Sequence, residues 1–404
     1  MTSLVTLDEI RAARELLRPI IRETPMESSR PLSERLGGAV HLKCENLQRT
    51  GSFKIRGAYT RIARLSDDEK AAGVVAASAG NHAQGVALAA SLLGIRSTVY
   101  MPVGASIAKL QATKAYGADV HLFGTTLDDS LIEARKYAEE TGAVLVHPFD
   151  HPDILRGQGT TGLEILEQVP EVKTVIVALG GGGLISGIAV AIKAQRPDVR
   201  IVGVQAEQAA AWPDSLGAGH PVRLGQMATL ADGIAVGEPT ALTFAHVSEL
   251  VDEIVTVSED QLSRAMLLCL ERAKLVVEAA GVAGVAAVLD QPERFRAPAV
   301  VVLSGGNIDP LLMNHVVEHG LVAAGRFLSL RVEISDRPGS LAQLLAEFGR
   351  LGASVVDLEQ SRLGSGIELG NVEAAIRLEC RGSDHHDLVL TALTDAGYRV
   401  LDHS

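Results

Sequence analysis

Residues 174–194 read TVIVALGGGGLISGIAVAIKA. Thr174–Leu179 is a short apolar run rich in β-branched residues, which is the signature of a strand buried on both faces. Ile185–Ala194 carries its apolar residues at helical spacing, and Gly180, Gly181, Gly182, Gly183 and Leu184 turn the chain between the two. Strand, abrupt glycine turn and helix together form the repeating unit of a parallel sheet covered by helices. Four successive glycines also make flexible linkers, but a strand before and an amphipathic helix after exclude one here. Glycines at such a turn let backbone N–H groups approach a phosphate, with the field of the helix N-terminus behind them. No Lys-Ser or Lys-Thr follows, so the turn is not a P-loop. It does not fit G-x-G-x-x-G either, because Ile185 or Ser186 falls where the third glycine belongs.

The same alternation extends in both directions. Gly73–Ser78, Arg96–Met101, Ala118–Phe123, Ala143–Val146, Arg200–Gln205 and Ala299–Leu303 read as strands apolar on both faces, with helices at Asn81–Leu93 and Ser106–Tyr116. After Arg326 the pattern changes. Strands at Phe327–Ile334, Ser354–Gln360, Val372–Leu378 and Tyr398–Leu401 enclose helices at Ser340–Leu351 and Asp387–Asp395, in the order βαββαβ of a ferredoxin-like unit. The fold class is therefore α/β with parallel sheets over residues 1–325, plus a ferredoxin-like domain over 326–404.

Composition excludes several classes of function. The chain has 404 residues and a formal net charge of −12, which repels phosphate backbones and argues against a nucleic-acid partner. With 47% hydrophobic and 21% charged residues it is not a disordered chain. Cys44, Cys269 and Cys380 stand far apart and show no metal-ligand spacing, which fits a reducing compartment. Asp8, Glu9 and Arg11 interrupt the N-terminus where a signal peptide needs an apolar run, and Ala279–Leu289 is too short to span a bilayer. The expectation is a cytoplasmic protein with no membrane partner.

Three further stretches carry chemistry. Lys54 lies in Ser52-Phe53-Lys54-Ile55-Arg56-Gly57, ahead of a helix read over Ala58–Leu65; a helix N-terminal field disfavours an ammonium and leaves a free amine for carbonyl chemistry. Ser78-Ala79-Gly80-Asn81-His82 joins a strand to a helix and offers either a carboxylate site or an ordinary N-cap. Ser304-Gly305-Gly306-Asn307 follows a strand end, where open α/β sheets place ligands, and its serine hydroxyl suits a ring nitrogen. His147, Asp150, His151 and Asp153 read as a proline-broken loop without metal-ligand spacing, and His385-His386-Asp387 reads as a solvated helix start.

Taken in order, S-F-K-x-R-G, S-A-G-N-H-A-Q-G, G-G-G-G-L and S-G-G-N resemble the fold-type-II (tryptophan synthase β-like) pyridoxal-phosphate enzymes and, within them, the threonine dehydratases. The tail, with Asp336-Arg337-Pro338-Gly339, resembles an ACT regulatory domain. The resemblance implies a smaller subdomain inserted at about residues 45–150. It implies that Lys54 holds pyridoxal 5'-phosphate as a Schiff base and shuttles the α-proton, and that Phe53 and Asn81 contact the cofactor. Gly180 to Leu184 would cradle its phosphate, Ser304 would meet the pyridine nitrogen, and Glu278 would lie near the ring. Ser78, Ala79, Gly80, Asn81 and His82 would form the site for the carboxylate of a small amino-acid substrate.

The activity implied is α,β-elimination from L-threonine, and from L-serine, giving a 2-oxo acid and ammonia. A serine- or hydroxyaspartate-preferring dehydratase shares this machinery, and Phe149 and Ala231-Asp232-Gly233 are the candidates for the pocket that chooses. Racemases of the family carry a second serine at the position of Ala79 and a divalent-metal loop where this chain has Gln205, Ala209 and Ala211, so racemisation and a divalent metal are not expected. Outside the family, Glu207 beyond a strand end gives a nicotinamide-binding oxidoreductase its support. A non-catalytic amino-acid sensor would use the tail alone. For the tail itself the expectation is an amino-acid effector, with Pro338 in a helix first turn and Gly339 allowing close approach of a ligand. A homodimer or homotetramer is implied by the family.

Overall fold

A computed structural model describes residues 3–362 and 367–403. Two units divide it, residues 1–313 and 314–404, and the division falls inside the helix Pro310–Ala323, ahead of the boundary read near residue 325.

In the first unit, β1 (Met26–Ser28) runs antiparallel to β2 (Val40–Lys43). A parallel sheet follows from β3 (Val74–Ala77), β4 (Ser97–Met101), β5 (Asp119–Leu122) and β6 (Val144–Leu145), in the order β5-β4-β3-β6. The chain then returns to β2. β7 (Thr174–Ala178), β8 (Arg200–Ala206), β9 (Glu253–Val257) and β10 (Ala299–Val302) complete a sheet ordered β1-β2-β10-β7-β8-β9, parallel except at β1. β3, β4, β7 and β10 are buried throughout, as their apolar sequences require. β5 departs from that reading. Asp119, His121 and Leu122 are exposed, because this strand forms the edge of its sheet. The short, exposed β1 carries too little apolar pattern to be read from sequence, and the half-buried edge strand β9 lies outside the strands read although it is rich in β-branched residues.

Glycine sets the spacing of the central helices. Pro152–Gln168 and Gly183–Lys193 approach so closely that a Cβ on Gly187 would lie 2.3 Å from the Leu155 carbonyl oxygen and 2.5 Å from the Gly159 nitrogen. A Cβ on Gly157 would meet the Arg56 carbonyl oxygen at 2.4 Å, which brings the helix Lys54–Ala63 equally close.

At this junction lies a buried ionic cluster. Arg56 is wholly buried and donates to Glu45 at 2.8 Å and to Glu164, while Lys43 pairs with Glu164 at 2.6 Å and donates to the Thr24 carbonyl. Burial disfavours the Arg56 charge, but the two carboxylates outweigh it and hold its pKa above the ordinary value.

In the second unit, β11 (Phe327–Ser335), β12 (Ser354–Ser361), β13 (Asn371–Glu379) and β14 (Arg399–His403) form an antiparallel sheet ordered β12-β13-β11-β14. With the helices Ser340–Leu351 and Ser383–Asp395 this gives the βαββαβ order of a ferredoxin-like domain. Leu344 and Phe348 of the first helix pack on Leu330, Val332 and Ile376 of the sheet. Two local readings change. Gly339, at φ +95°, is the residue before the helix, so Pro338 lies outside its first turn; among the described residues no atom lies within 4 Å of a Cβ built on Gly339, which leaves it open to a ligand. His385 is buried rather than solvated, with its ring nitrogens bonded to the Arg381 N–H and the Leu351 carbonyl.

Arg56→Met leaves two buried carboxylates facing Lys43 alone, which should cost about 3–5 kcal/mol. Gly187→Ala, an overpacking change, should cost about 1–3 kcal/mol. Urea unfolding midpoints check both values and their order.

Candidate active site

A cavity of about 400 Å³ lies at the carboxyl ends of β3, β7 and β10, where an open α/β sheet places its ligands. The residues expected to hold cofactor and substrate line it: Phe53, Lys54, Ser78, Ala79, Gly80, Asn81, His82, Gly180 to Leu184, Glu278 and Ser304; Phe149, Asp232 and Gly233 do as well, and Ala231 does not.

Lys54 is held by the segment that precedes it. Ser52 bridges Gly305, the Phe53 N–H donates to the Ser304 carbonyl at 3.2 Å, and the Asn307 amide donates to the Thr50 carbonyl at 2.6 Å. Thr50 adopts φ +64°, unusual for a threonine, and this hydrogen bond helps hold the turn. Lys54 is the first residue of its helix, not a residue ahead of it. Its Nζ lies 3.3 Å from the Pro148 carbonyl and 5.1 Å from the centre of the Phe53 ring. Burial lowers its pKa to about 8 against the opposing charge of Glu278. The free amine expected from a helix-end field is therefore favoured chiefly by desolvation.

Glu278 precedes the short helical turn Ala279–Val282, and its N–H donates to the Gly305 carbonyl at 3.0 Å. Its carboxylate accepts from the Asn81 amide, and the Asn81 carbonyl accepts from Asn307 at 2.8 Å. Burial pushes Glu278 up to about 7, Asp232 adds to the rise, and Lys109, Asn81 and Lys54 oppose it. A Cβ on Gly305 would lie 2.2 Å from the Glu278 carboxylate, so only glycine fits where the Ser304–Asn307 loop passes. The Ser304 hydroxyl has no protein partner among the described residues.

The loop Ser78–Gly80 leads into the helix Asn81–Leu92, with the Ser78 hydroxyl accepting the Gly80 N–H at 3.2 Å. First-turn N–H groups have no acceptor within their own helix and so face an anion site. His82 lines the cavity, with its ring turned to the backbone. Its Nε2 is 2.7 Å from the Val146 carbonyl, which can only accept, and burial lowers its pKa to about 3. Its ring is neutral and committed to the backbone.

The glycine turn is also walled by protein. Added Cβ atoms would collide with Ile234 at Gly180, Phe149 at Gly181 and Trp212 at Gly182, which has φ +92°. The Trp212 indole donates to the Gly180 carbonyl at 2.7 Å. Gln205, at the position compared with a metal loop, accepts the Trp212 N–H at 3.1 Å and donates to the Ala209 carbonyl at 3.2 Å. The divalent-metal loop's place is thus occupied by an amide bonded within the protein. Lys109 and Asp232, paired at 2.7 Å, complete the charged lining. Lys109 had no distinguishing signal in sequence, since a lone helical lysine reads as a surface group.

These features suit pyridoxal phosphate: a desolvated amine, two helix N-termini toward one cavity, a turn with no side chains and an unpartnered buried hydroxyl. The comparisons agree. A family model described as pyridoxal-phosphate dependent enzyme matches residues 17–305. L-threonine ammonia-lyase of Thermotoga maritima is 45% identical over 397 residues, spanning 98% of this chain and 99% of that protein. Among solved structures, maize serine racemase aligns at TM-score 0.74 and 37% identity, covering 78% of this chain and 98% of that one. A threonine deaminase from T.th. aligns at TM-score 0.69 and 41% identity, covering 75% and 99%. The chain belongs to the pyridoxal-phosphate dependent enzyme family, and its cofactor is pyridoxal 5'-phosphate. Its catalytic region has the fold-type-II architecture of these relatives.

In the apoprotein, labelling of Lys54 by an amine-directed reagent should rise with pH about a midpoint near 8. The Glu278 carboxylate favours the ammonium, so Glu278→Gln should move that midpoint down; peptide mapping across a pH series measures both.

Proposed function

We propose that the enzyme deaminates L-threonine to 2-oxobutanoate and ammonia, and L-serine to pyruvate and ammonia. The observation that carries this reading is the pairing of Lys54, a desolvated amine, with Ser304, an uncharged hydroxyl, across one cavity. The L-threonine ammonia-lyase relative, matched over nearly its whole length, supports it.

Bound pyridoxal phosphate supplies the electron sink that acidifies the substrate α-hydrogen. The N-terminal turn of Asn81–Leu92, with Ser78, binds and orients the α-carboxylate. Lys54 Nζ takes the α-proton, and a pKa of about 8 suits it both to accept and to return a proton. Asn81 is held between Glu278 and Asn307, where it would meet the cofactor ring, and Gly180–Leu184 would hold the phosphate. Loss of the β-hydroxyl as water leaves an enamine, which becomes an imine and hydrolyses to the 2-oxo acid and ammonia. Ser304 would offer the ring nitrogen a neutral hydroxyl in place of a carboxylate that keeps it protonated, and the weaker sink would favour expulsion of the β-hydroxyl over reprotonation. At the site where racemases of the family place a second serine, Ala79 has no proton to give.

Lys54→Ala should abolish 2-oxobutanoate formation from threonine in a coupled ketoacid assay. Unchanged turnover contradicts the proposal, as does racemisation of serine at a rate matching its deamination.

We also infer that the ferredoxin-like tail is an ACT-like regulatory domain that takes an amino-acid effector, on an enzyme that is cytoplasmic and a homodimer or homotetramer. The T.th. threonine deaminase is covered almost entirely by 75% of this chain, so the deaminase fold stands without a tail of this kind. Isoleucine and valine are the first effectors to test. A chain ending at Gly325 should keep threonine turnover and lose any response to them; a truncated enzyme that still responds contradicts the assignment.

A further inference from the structure

The cavity lining holds four charged side chains besides the neutral His82: Lys54, Lys109, Asp232 and Glu278. Lys54 is committed to the cofactor and Glu278 to Asn81. Lys109 is therefore the cation left for a substrate.

Lys109 belongs to the helix Ile107–Ala115, beside the smaller sheet. Its side chain is 11% exposed, and its Nζ would lie 3.5 Å from a Cβ on Gly80, directly over the loop that opens the helix Asn81–Leu92. The partner, Asp232, comes from the opposite side of the cavity, at the start of the turn Asp232–Ile234, and closes a 2.7 Å ion pair. Asp232 itself is 59% exposed, so its carboxylate meets solvent as well as Lys109. The same turn is fixed at its far end, where the Ile234 backbone lies against Gly180. Both charges reach the interior: Asp232 raises the Glu278 pKa, and Lys109 lowers it.

We propose that the Lys109–Asp232 pair sets the substrate class of this site: Asp232 neutralises Lys109 and so excludes amino acids with a second carboxylate on the side chain. The inference rests on the deaminase reading and narrows it, favouring threonine and serine over hydroxyaspartate. An uncharged hydroxyethyl or hydroxymethyl group meets a lining whose charges are already paired. A side-chain carboxylate meets Asp232 and Glu278 with no cation released to receive it, and like charges brought together at a site discriminate strongly. A substrate α-carboxylate is common to all these amino acids, so it cannot account for a difference among them.

The test measures ratios on the holoenzyme. Asp232→Asn leaves the loop a side chain of the same shape and frees Lys109. It should raise kcat/KM for threo-3-hydroxyaspartate relative to threonine by about tenfold or more. Asp232→Ala should do the same if the asparagine variant folds poorly, and Lys109→Gln combined with Asp232→Asn should cancel the gain. Affinities for L-aspartate and L-2-aminobutyrate, read from the shift of the cofactor absorption band, should change in the same sense. An unchanged ratio in both single variants overturns the proposal, because it would mean that Lys109 serves the shared α-carboxylate. The aspartate-to-aminobutyrate affinity ratio needs no turnover. Failure of the deaminase reading would appear instead as a wild-type enzyme inactive on threonine.

Discussion

A buried arginine between two carboxylates governs where the lysine can be. Arg56 stands two residues after Lys54 on the same helix, and its guanidinium reaches Glu45 beside β2 and Glu164 on the helix Pro152–Gln168. Lys43 balances the second negative charge, so the cluster is neutral as a whole and each ionic group has a partner. Buried ion pairs add little net stability over apolar packing, but breaking one is expensive, so they fix geometry more than they strengthen it. Here the geometry fixed is the helix that carries Lys54. The glycines at 157, 159 and 187 then allow the neighbouring helices to close on it.

Above that anchor the active site is organised by desolvation. Burial lowers Lys54 toward 8 and raises Glu278 toward 7, so the pair sits near neutrality, where a proton can be gained and lost. One loop controls both groups. Ser304–Asn307 pins the lysine segment through Phe53 and Thr50, and it contacts the Glu278–Asn81 pair through Gly305 and Asn307. The two small-residue turns at Gly80–Asn81 and Gly180–Gly183 project from different sheets toward the same cavity. Cofactor binding thus depends on the relative placement of the two sheets and not on either alone.

The parallel strands of the interior were legible because burial on both faces leaves an unbroken apolar run, as in β3 and β7. β5 was legible as a strand too, but its edge position exposes residues that the reading had buried, and the short edge strand β1 offers no such run. Lys54, Asn81, the glycine turn and Ser304 stood out because their four stretches occur together and in order, although each alone has an ordinary structural reading. Glu278 could be placed only by resemblance, since its neighbours in the sequence are small and apolar. Lys109 and Trp212 gave no signal of their own, and Asp232 was named for the pocket without its partner: their roles come from meetings across the cavity between residues far apart in the chain. His82 lines the cavity, but the hold of a backbone carbonyl on its ring is a tertiary contact that its sequence setting does not signal.

The central claim is that Lys54 is the amine that carries the cofactor. The visible spectrum of the purified protein should show a band that borohydride removes, and peptide mapping should then find the reduced cofactor on Lys54 alone. A protein that stays colourless after incubation with pyridoxal phosphate, or a reduced cofactor on any other lysine, would contradict the account.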